Sequence, residues 1–154
     1  MDLNIRKYDE RDTAALAKLF YETVHAVCAG DYTAAQLSCW ADGRPDLGAW
    51  KESLSAHISY VAESCGKIVG FGDIDKSGYL DRLFVHKDFL RRGIAGRLCD
   101  VLETSVSVRR IYTHSSVTAL PFFLSRGYIA VSEEYAERDG ERLKYFVAEK
   151  ITRF

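Results

Sequence analysis

No stretch of this 154-residue chain is apolar over transmembrane length, and neither sign of charge is in excess, with 21 basic side chains against 22 acidic ones. The first absence leaves no membrane-spanning helix to expect. The second removes the broad field that draws in nucleic acid or an anionic membrane surface, so neither is an expected partner. The four cysteines (Cys28, Cys39, Cys65, Cys99) show no C-x-x-C spacing and no paired histidines nearby. They read as reduced, mostly buried thiols, with no metal site expected. Internal repeats, linkers and low-complexity segments are missing too. Asp2-Leu3-Asn4 opens an acidic, alternating segment rather than a secretory leader. The expected location is the cytoplasm, and the expected organisation is one domain over residues 1–154.

The chain does have 47% apolar residues, with 8 Phe, 9 Tyr and 2 Trp, enough to bury a core. Its most informative stretch begins with an apolar strand over Tyr79 to His86, which runs into the basic turn Leu90-Arg91-Arg92-Gly93. A helix to about Val106 follows, with Ile94, Leu98, Val101 and Leu102 at a 3.6-residue period. A helix start leaves backbone N–H groups unpaired and carries partial positive charge. Gly93 and Gly96 let a ligand come close to that backbone, and Arg91, Arg92 and Arg97 add full charges. This is the chemistry of a diphosphate cradle. An ordinary strand–turn–helix with solvated arginines fits the same residues.

Leu3 to Tyr8 alternate as a first strand, and Asp12 is placed to cap a helix carrying Leu16, Leu19, Phe20, Thr23, Val24 and Val27 on one face. Thr33-Ala34-Ala35-Gln36 has the form of a capping box and predicts a second short helix. Trp50, Leu54 and His57 suggest one more brief helical turn. Strands follow over Ile58 to Glu63 and Lys67 to Asp75, joined across Ser64-Cys65-Gly66. After the helix at Gly93 comes a strand over Arg110 to His114, then a helix with Thr118 as its N-cap and Pro121 in its first turn. Tyr128 to Ser132 and Leu143 to Lys150 pair across Arg138-Asp139-Gly140. This order predicts an α+β fold, a mostly antiparallel central sheet with helices on both faces.

With Leu90-Arg91-Arg92-Gly93-Ile94-Ala95 behind Leu83-Phe84-Val85, the order resembles the GCN5-related N-acetyltransferase family. That family carries [Gln/Arg]-x-x-Gly-x-[Gly/Ala] after a hydrophobic-x-Val strand end. Its second landmark is matched by Ser116 and Phe122-Phe123-Leu124-Ser125-Arg126-Gly127-Tyr128, and its third by Ile68-Val69-Gly70-Phe71. The resemblance covers nearly the whole chain and is weakest over residues 21–57. It implies acetyl-CoA as co-substrate, with the backbone at Leu83, Phe84 and Val85 pairing with the pantetheine arm by strand addition. It implies that Arg91, Arg92, Gly93, Ile94, Ala95, Gly96 and Arg97 hold the pyrophosphate, with Ser116 and Phe123 near the thioester. The reaction implied is direct acetyl transfer to a primary amine of a small molecule or protein. Two positions depart from the family pattern. Leu90 stands where Gln or Arg is usual. Phe123 stands where a tyrosine protonates the leaving thiolate in many members, and it reads better as a core ring. A non-catalytic acyl-CoA-binding module of the same fold is the alternative.

An ammonium must lose a proton before it attacks, so a base near the acetyl group is needed. Asp81 is the first choice: period-2 counting puts it on the face of Leu83 and Val85, and burial there would raise its pKa. Pairing with Arg82 is the competing reading. Asp73 and Asp75 come second, Glu22 and His25 third, and His86 is expected to be exposed. Ser116 is the other candidate catalytic group. The acceptor is expected to bind among Tyr21, His25, Tyr32, Trp40 and Asp73, with Trp50 nearby and Tyr135 and Tyr145 closing the far side. Those aromatic residues fit a cage for a cation or flat amine, and Trp40 and Trp50 fit a core equally well. A monomer or a homodimer is expected.

Overall fold

A computed structural model of the chain describes residues 2–152. Met1, Arg153 and Phe154, at the ends of the expected domain, lie outside the described residues. Twelve principal elements run β1 (Leu3–Lys7), α1 (Thr13–Val27), α2 (Ala34–Trp40), α3 (Leu47–Ala56), β2 (Ile58–Ser64), β3 (Lys67–Ile74), β4 (Tyr79–Val85), α4 (Ile94–Thr104), β5 (Arg110–Ser116), α5 (Leu120–Ser125), β6 (Ile129–Arg138) and β7 (Glu141–Ile151). The strands form one sheet in the order β1-β2-β3-β4-β5-β7-β6. Five neighbouring pairs are antiparallel, and β4 with β5 is parallel. The expected mixed sheet with helices on both faces is what the chain forms.

Local chemistry explains the turns. Cys65 and Gly66 both take positive φ (52° and 77°), as do Asp139 and Gly140 (49° and 81°). Two residues with φ > 0 match the twist of the strands they join, which makes both connections tight hairpins. The Thr33–Gln36 capping box is present, each side chain bonding the other's backbone N–H. Two caps differ from expectation. Asp12 makes no cap to α1; its carboxylate is drawn to the Arg6 guanidinium at 2.8 and 2.9 Å, and Asp9 caps the turn instead. The residue at the N-cap of α5 is Ala119, whose N–H donates to Ser116 Oγ at 3.0 Å, while Thr118 turns its hydroxyl to Asp31. The brief turn expected near Trp50 is a ten-residue helix, α3, capped by Asp46.

Two layers of core hold the sheet. Leu16 and Leu19 of α1 and Leu54 of α3 close over Val61 and Phe71 on one face. On the other, Ile94 and Leu98 of α4 cover Ala62 and Val69, while Cys99 and Leu102 meet Ile74, Leu80, Ile111 and Phe123. Burying each large aliphatic side chain stabilises the fold by about 1.5–3 kcal/mol. Gly72 lets α4 come this close: a Cβ there would lie 2.9 Å from both the Arg82 carbonyl and Leu102 Cδ1. At the C-terminal end of α4, the partly buried Glu103 meets Arg126, Tyr128 and Lys150, which ties α4 to α5, β6 and β7.

Candidate active site

Parallel pairing of β4 and β5 lasts for two residues only, Tyr79 with Tyr112 and Leu80 with Thr113. The Thr113 hydroxyl donates to the Leu80 carbonyl at 2.8 Å and locks this junction. Beyond it the strands separate, and a cleft of about 1010 Å³ opens between Leu83–Val85 and His114–Ser116. The His86 N–H bonds the Val69 carbonyl at 2.8 Å, which fixes the backbone alternation along β4. Phe84 and His86 therefore direct their N–H and C=O groups to β3, and Leu83 and Val85 direct theirs into the cleft. The Val85 carbonyl accepts from Thr23 Oγ1 at 3.0 Å. The Leu83 N–H and C=O and the Val85 N–H are left as an open strand edge, able to receive an extended amide-bearing chain.

The start of α4 forms one end of this cleft. Gly93 is its N-cap at φ +78°, preceded by Arg91 at φ +59°. The Arg97 N–H closes the first turn on the Gly93 carbonyl at 3.1 Å. The amides of Ile94, Ala95 and Gly96 precede that bond and lie at the positive end of the helix, where an anion is favoured. Arg91, Gly93, Ile94, Ala95 and Gly96 line the cleft. Arg92 and Arg97 do not: the Arg92 guanidinium lies 5.0 Å over the Phe89 ring, and Arg97 Nη1 reaches the Leu3 carbonyl at 3.4 Å. The amide of Arg97 is likewise committed to the helix. One arginine of the three faces the cleft.

The other end of the cleft is shaped by a β-bulge. Asp73 pairs with Arg82 and Ile74 with Leu80, so Asp81 is the extra residue. A bulge breaks the period of two. Asp81 thus lies near His57 and Asp73 on the face of α1 and α3, opposite to Leu83 and Val85, which pack toward α4. The one-face expectation for Asp81, Leu83 and Val85 is corrected accordingly. Asp81 is also only partly buried, its side chain 31% exposed, with Arg82 Nη2 4.0 Å away.

Asp73 holds the bulge in place. Its Oδ1 accepts the Arg82 N–H at 2.9 Å, and its Oδ2 meets Arg82 Nη1 at 2.5 Å and His57 Nδ1 at 2.8 Å. Arg82 continues to Ser53 Oγ at 2.7 Å and lies over the Trp50 ring. Burial pushes the Asp73 carboxyl pKa up, and Arg82 and His57 offset this in part. With a guanidinium on its carboxylate, Asp73 has its charge met within the protein, which disfavours a cation among His57, Asp73 and Asp81. Asp73 is fully buried, so it does not present itself to an acceptor as expected.

The remaining candidates separate into two groups. Ser116, Tyr32, Trp40 and Phe123 line the cleft. Ser116 Oγ accepts from Ala119 and keeps its own proton free to donate. Tyr32 donates to the Lys144 carbonyl at 2.7 Å and accepts from the Val117 N–H at 2.9 Å, bridging two cleft walls. Phe123 is 3% exposed and packs on Phe122 and Tyr128 as a core ring. Tyr21 and His25 are away from the cleft, their rings 4.3 Å apart, and His25 Nε2 is bonded to the Ala41 carbonyl at 2.7 Å. His86, expected to be exposed, is packed edge-on to Phe89 and 12% exposed.

Tyr79 and His114 line the cleft beside Asp81 and were absent from the sequence candidates. Their rings are 5.1 Å apart, and His114 continues to Tyr145 at 5.0 Å. Burial pushes the Tyr79 phenol pKa up, reinforced by the Asp81 charge. The signal for both was their parity: 79 and 81 share a face before the bulge, and 112, 114 and 116 share one on β5.

A cleft between splayed parallel strands, with a helix N-terminus at one end and a carboxylate at the other, suits an extended thioester with an anionic tail. Comparison with known proteins agrees. Residues 28–145 match the family model described as an acetyltransferase (GNAT) domain. The chain is 33% identical over 140 residues to an uncharacterised N-acetyltransferase, YafP, of Escherichia coli K12, spanning 90% of this chain and 89% of that one. It superposes on a GCN5-related N-acetyltransferase from Rhodopseudomonas palustris with a TM-score of 0.94 and 27% identity, covering 99% of this chain and 97% of the other. A PaiA N-acetyltransferase from Thermoplasma acidophilum, solved with coenzyme A, follows at TM-score 0.73 and 18% identity, covering 99% and 100%. Strand splay, helix start and sequence kinship converge, and the chain is an N-acetyltransferase belonging to the GCN5-related (GNAT) family.

Proposed function

We propose that this chain transfers the acetyl group of acetyl-CoA to a primary amine of a small molecule or protein, with Asp81 as the base. The observation that carries the reading is the cleft itself, open-edged at Leu83 and Val85 and ending at the bulge where Asp81 stands. The amides of Ile94, Ala95 and Gly96, with Arg91, hold the diphosphate. The pantetheine arm adds to β4 as a short strand at Leu83 and Val85. Val85 lies four residue steps from Asp81, about 13 Å of strand, so the arm brings its thioester toward the junction of β4 and β5. The coenzyme A held by the Thermoplasma relative supports this ligand class.

The acceptor then approaches from the face of Tyr79, Asp81 and His114. Asp81 takes a proton from the ammonium, the free amine attacks the thioester carbonyl, and the collapse of the tetrahedral adduct expels the thiolate. Phe123 has no proton to give, and the Ser116 hydroxyl on the cleft wall does. A thiol pKa of about 8.5 makes the thiolate a tolerable leaving group even without strong acid help.

The test is thiol release from acetyl-CoA against polyamines, aminoglycosides, amino acids and short peptides. At least one class yields coenzyme A thiol in step with acetylated amine. Stabilisation by acetyl-CoA without release for any amine would instead favour the acyl-CoA-binding module, the reading that Phe123 motivates.

A further inference from the structure

The face of the cleft on which Asp81 stands is lined by rings. Phe20 of α1 lies 5.0 Å from Phe84, 5.3 Å from Trp50 and 6.4 Å from Trp40, ring centre to ring centre. All four pack on the core beneath α1, α2 and α3, stay partly exposed, and line the cleft. A second chain of rings, Tyr79, His114 and Tyr145 at spacings of 5.1 and 5.0 Å, lines it from β4, β5 and β7. Ile111 packs beneath α4, so the alternation of β5 turns His114 to the opposite face, that of α1 and α3.

Charge on the cleft wall is uneven. Among the described residues, Asp81 is the one carboxylate in the lining, against Arg82, Arg91, Arg138 and Lys144. Arg82 is held by Asp73 and Lys144 by Glu133, and Arg91 belongs to the diphosphate end. One ammonium therefore finds a carboxylate here. A second ammonium on the same molecule finds none and shares the cleft with Arg138 and Lys144.

We infer that the acceptor is a monoamine carrying an aromatic ring, with its ammonium at Asp81 and its ring among Phe20, Trp40, Trp50 and Phe84. The inference rests on the acetyl-transfer reading of this cleft. Phe84 lies three residue steps from Asp81, about 10 Å of strand, a span suited to an amine joined to a ring by a short alkyl chain. Phe20 already meets Trp40 and Phe84 edge to face, at 73° and 81°. A substrate ring extends that favoured arrangement. The ring stays outside the chemistry and supplies binding: R–NH3+ and acetyl-CoA give R–NH–CO–CH3, CoA–SH and one H+. Polyamines and aminoglycosides, with several ammonium groups and no aromatic ring, are poor acceptors.

The test measures kcat/KM by thiol release at saturating acetyl-CoA for matched pairs of amines. Phenethylamine is set against ethylamine, phenylalanine against alanine, and cadaverine against pentylamine. The ring raises kcat/KM by about 10- to 100-fold in at least one of the first two pairs, the factor that burying an aromatic side chain supplies. The second ammonium of cadaverine lowers it by about 10-fold or more. In Phe20→Leu, which keeps the core apolar, the advantage of the ring shrinks by about 3- to 10-fold, and stabilisation by acetyl-CoA is unchanged. That advantage is a ratio within one preparation, so a loss of folded protein does not alter it. Ring-bearing and truncated amines that react equally well overturn the aromatic acceptor. So does a diamine that outpaces its monoamine, or a ring advantage that Phe20→Leu leaves whole. In each of these cases thiol release keeps the acetyl-transfer reading. Thiol release from no amine at all removes that reading, and the acceptor class with it.

Discussion

Asp81→Asn lowers kcat for amine acetylation by about 100-fold or more, in the range a positioned general base contributes. Acetyl-CoA still stabilises the variant as it does wild type, because the open edge at Leu83 and Val85 and the helix start at Gly93 are untouched. The loss shrinks as pH rises, since an amine that has already shed its proton needs no base. Steady-state rates over a pH series, set beside melting curves with and without acetyl-CoA, measure both effects. Asparagine is close in shape to aspartate, and Asp81 makes no close ion pair, its nearest guanidinium nitrogen being at 4.0 Å. A uniform loss of stability is therefore not expected. An Asp81→Asn enzyme as fast as wild type at every pH would remove this carboxylate from the mechanism.

Glu103→Ala destabilises the fold by about 3 kcal/mol, the lower end of the range for breaking a buried ion pair from one side, since the Glu103 side chain stays 9% exposed and that of Lys150 29%. For a chain of this size that is a fall in Tm of about 10 °C. The wild-type carboxylate takes Arg126 Nε at 2.9 Å, the Tyr128 hydroxyl at 2.8 Å and Lys150 Nζ at 3.2 Å. Truncation leaves Lys150 and Tyr128 without that partner, while Arg126 retains Asp100 at 2.6 Å. Burial pushes the Glu103 pKa up, and the bonds from Arg126, Tyr128 and Lys150 more than reverse this, so it ends below its ordinary value. A carboxyl whose folded pKa is lowered stabilises above its unfolded pKa, about 4.3 for glutamate. The gap in Tm between wild type and Glu103→Ala is therefore full near neutral pH and closes as pH falls through the lowered folded value. Calorimetry between neutral and acidic pH checks the sign. A gap that widens toward acid would contradict it.

Much of the fold was legible because its signals are local. The Thr33–Gln36 box, the Cys65-Gly66 and Asp139-Gly140 turns and the periodic face of α4 each need only a few neighbouring residues. Helix α3 is longer than its sequence pattern predicts because Leu54 is its one buried residue, too weak a period to mark ten residues. The cradle at Gly93 was legible in its backbone and less so in its charges: nothing local tells that Phe89 draws Arg92 aside or that Arg97 reaches β1. The bulge end of the cleft departs from the sequence expectation for one physical reason. The bulge at Asp81 depends on Asp73 accepting the Arg82 N–H from the neighbouring strand. Counting by twos along β4 passes through that position unaware, which turns Asp81 to the wrong face. Aromatic clustering in the sequence groups Tyr21 and His25 with Tyr32 and Trp40, and packing leaves the first two outside the cleft that the others line.

The most direct test of the central claim is a crystal structure with coenzyme A or acetyl-CoA. The account predicts the diphosphate on the amides of Ile94, Ala95 and Gly96, the pantetheine amides paired with Leu83 and Val85, and the sulphur at the junction of β4 and β5, on the path to Asp81. Coenzyme A bound outside the cleft, or its sulphur directed away from the bulge, would contradict it.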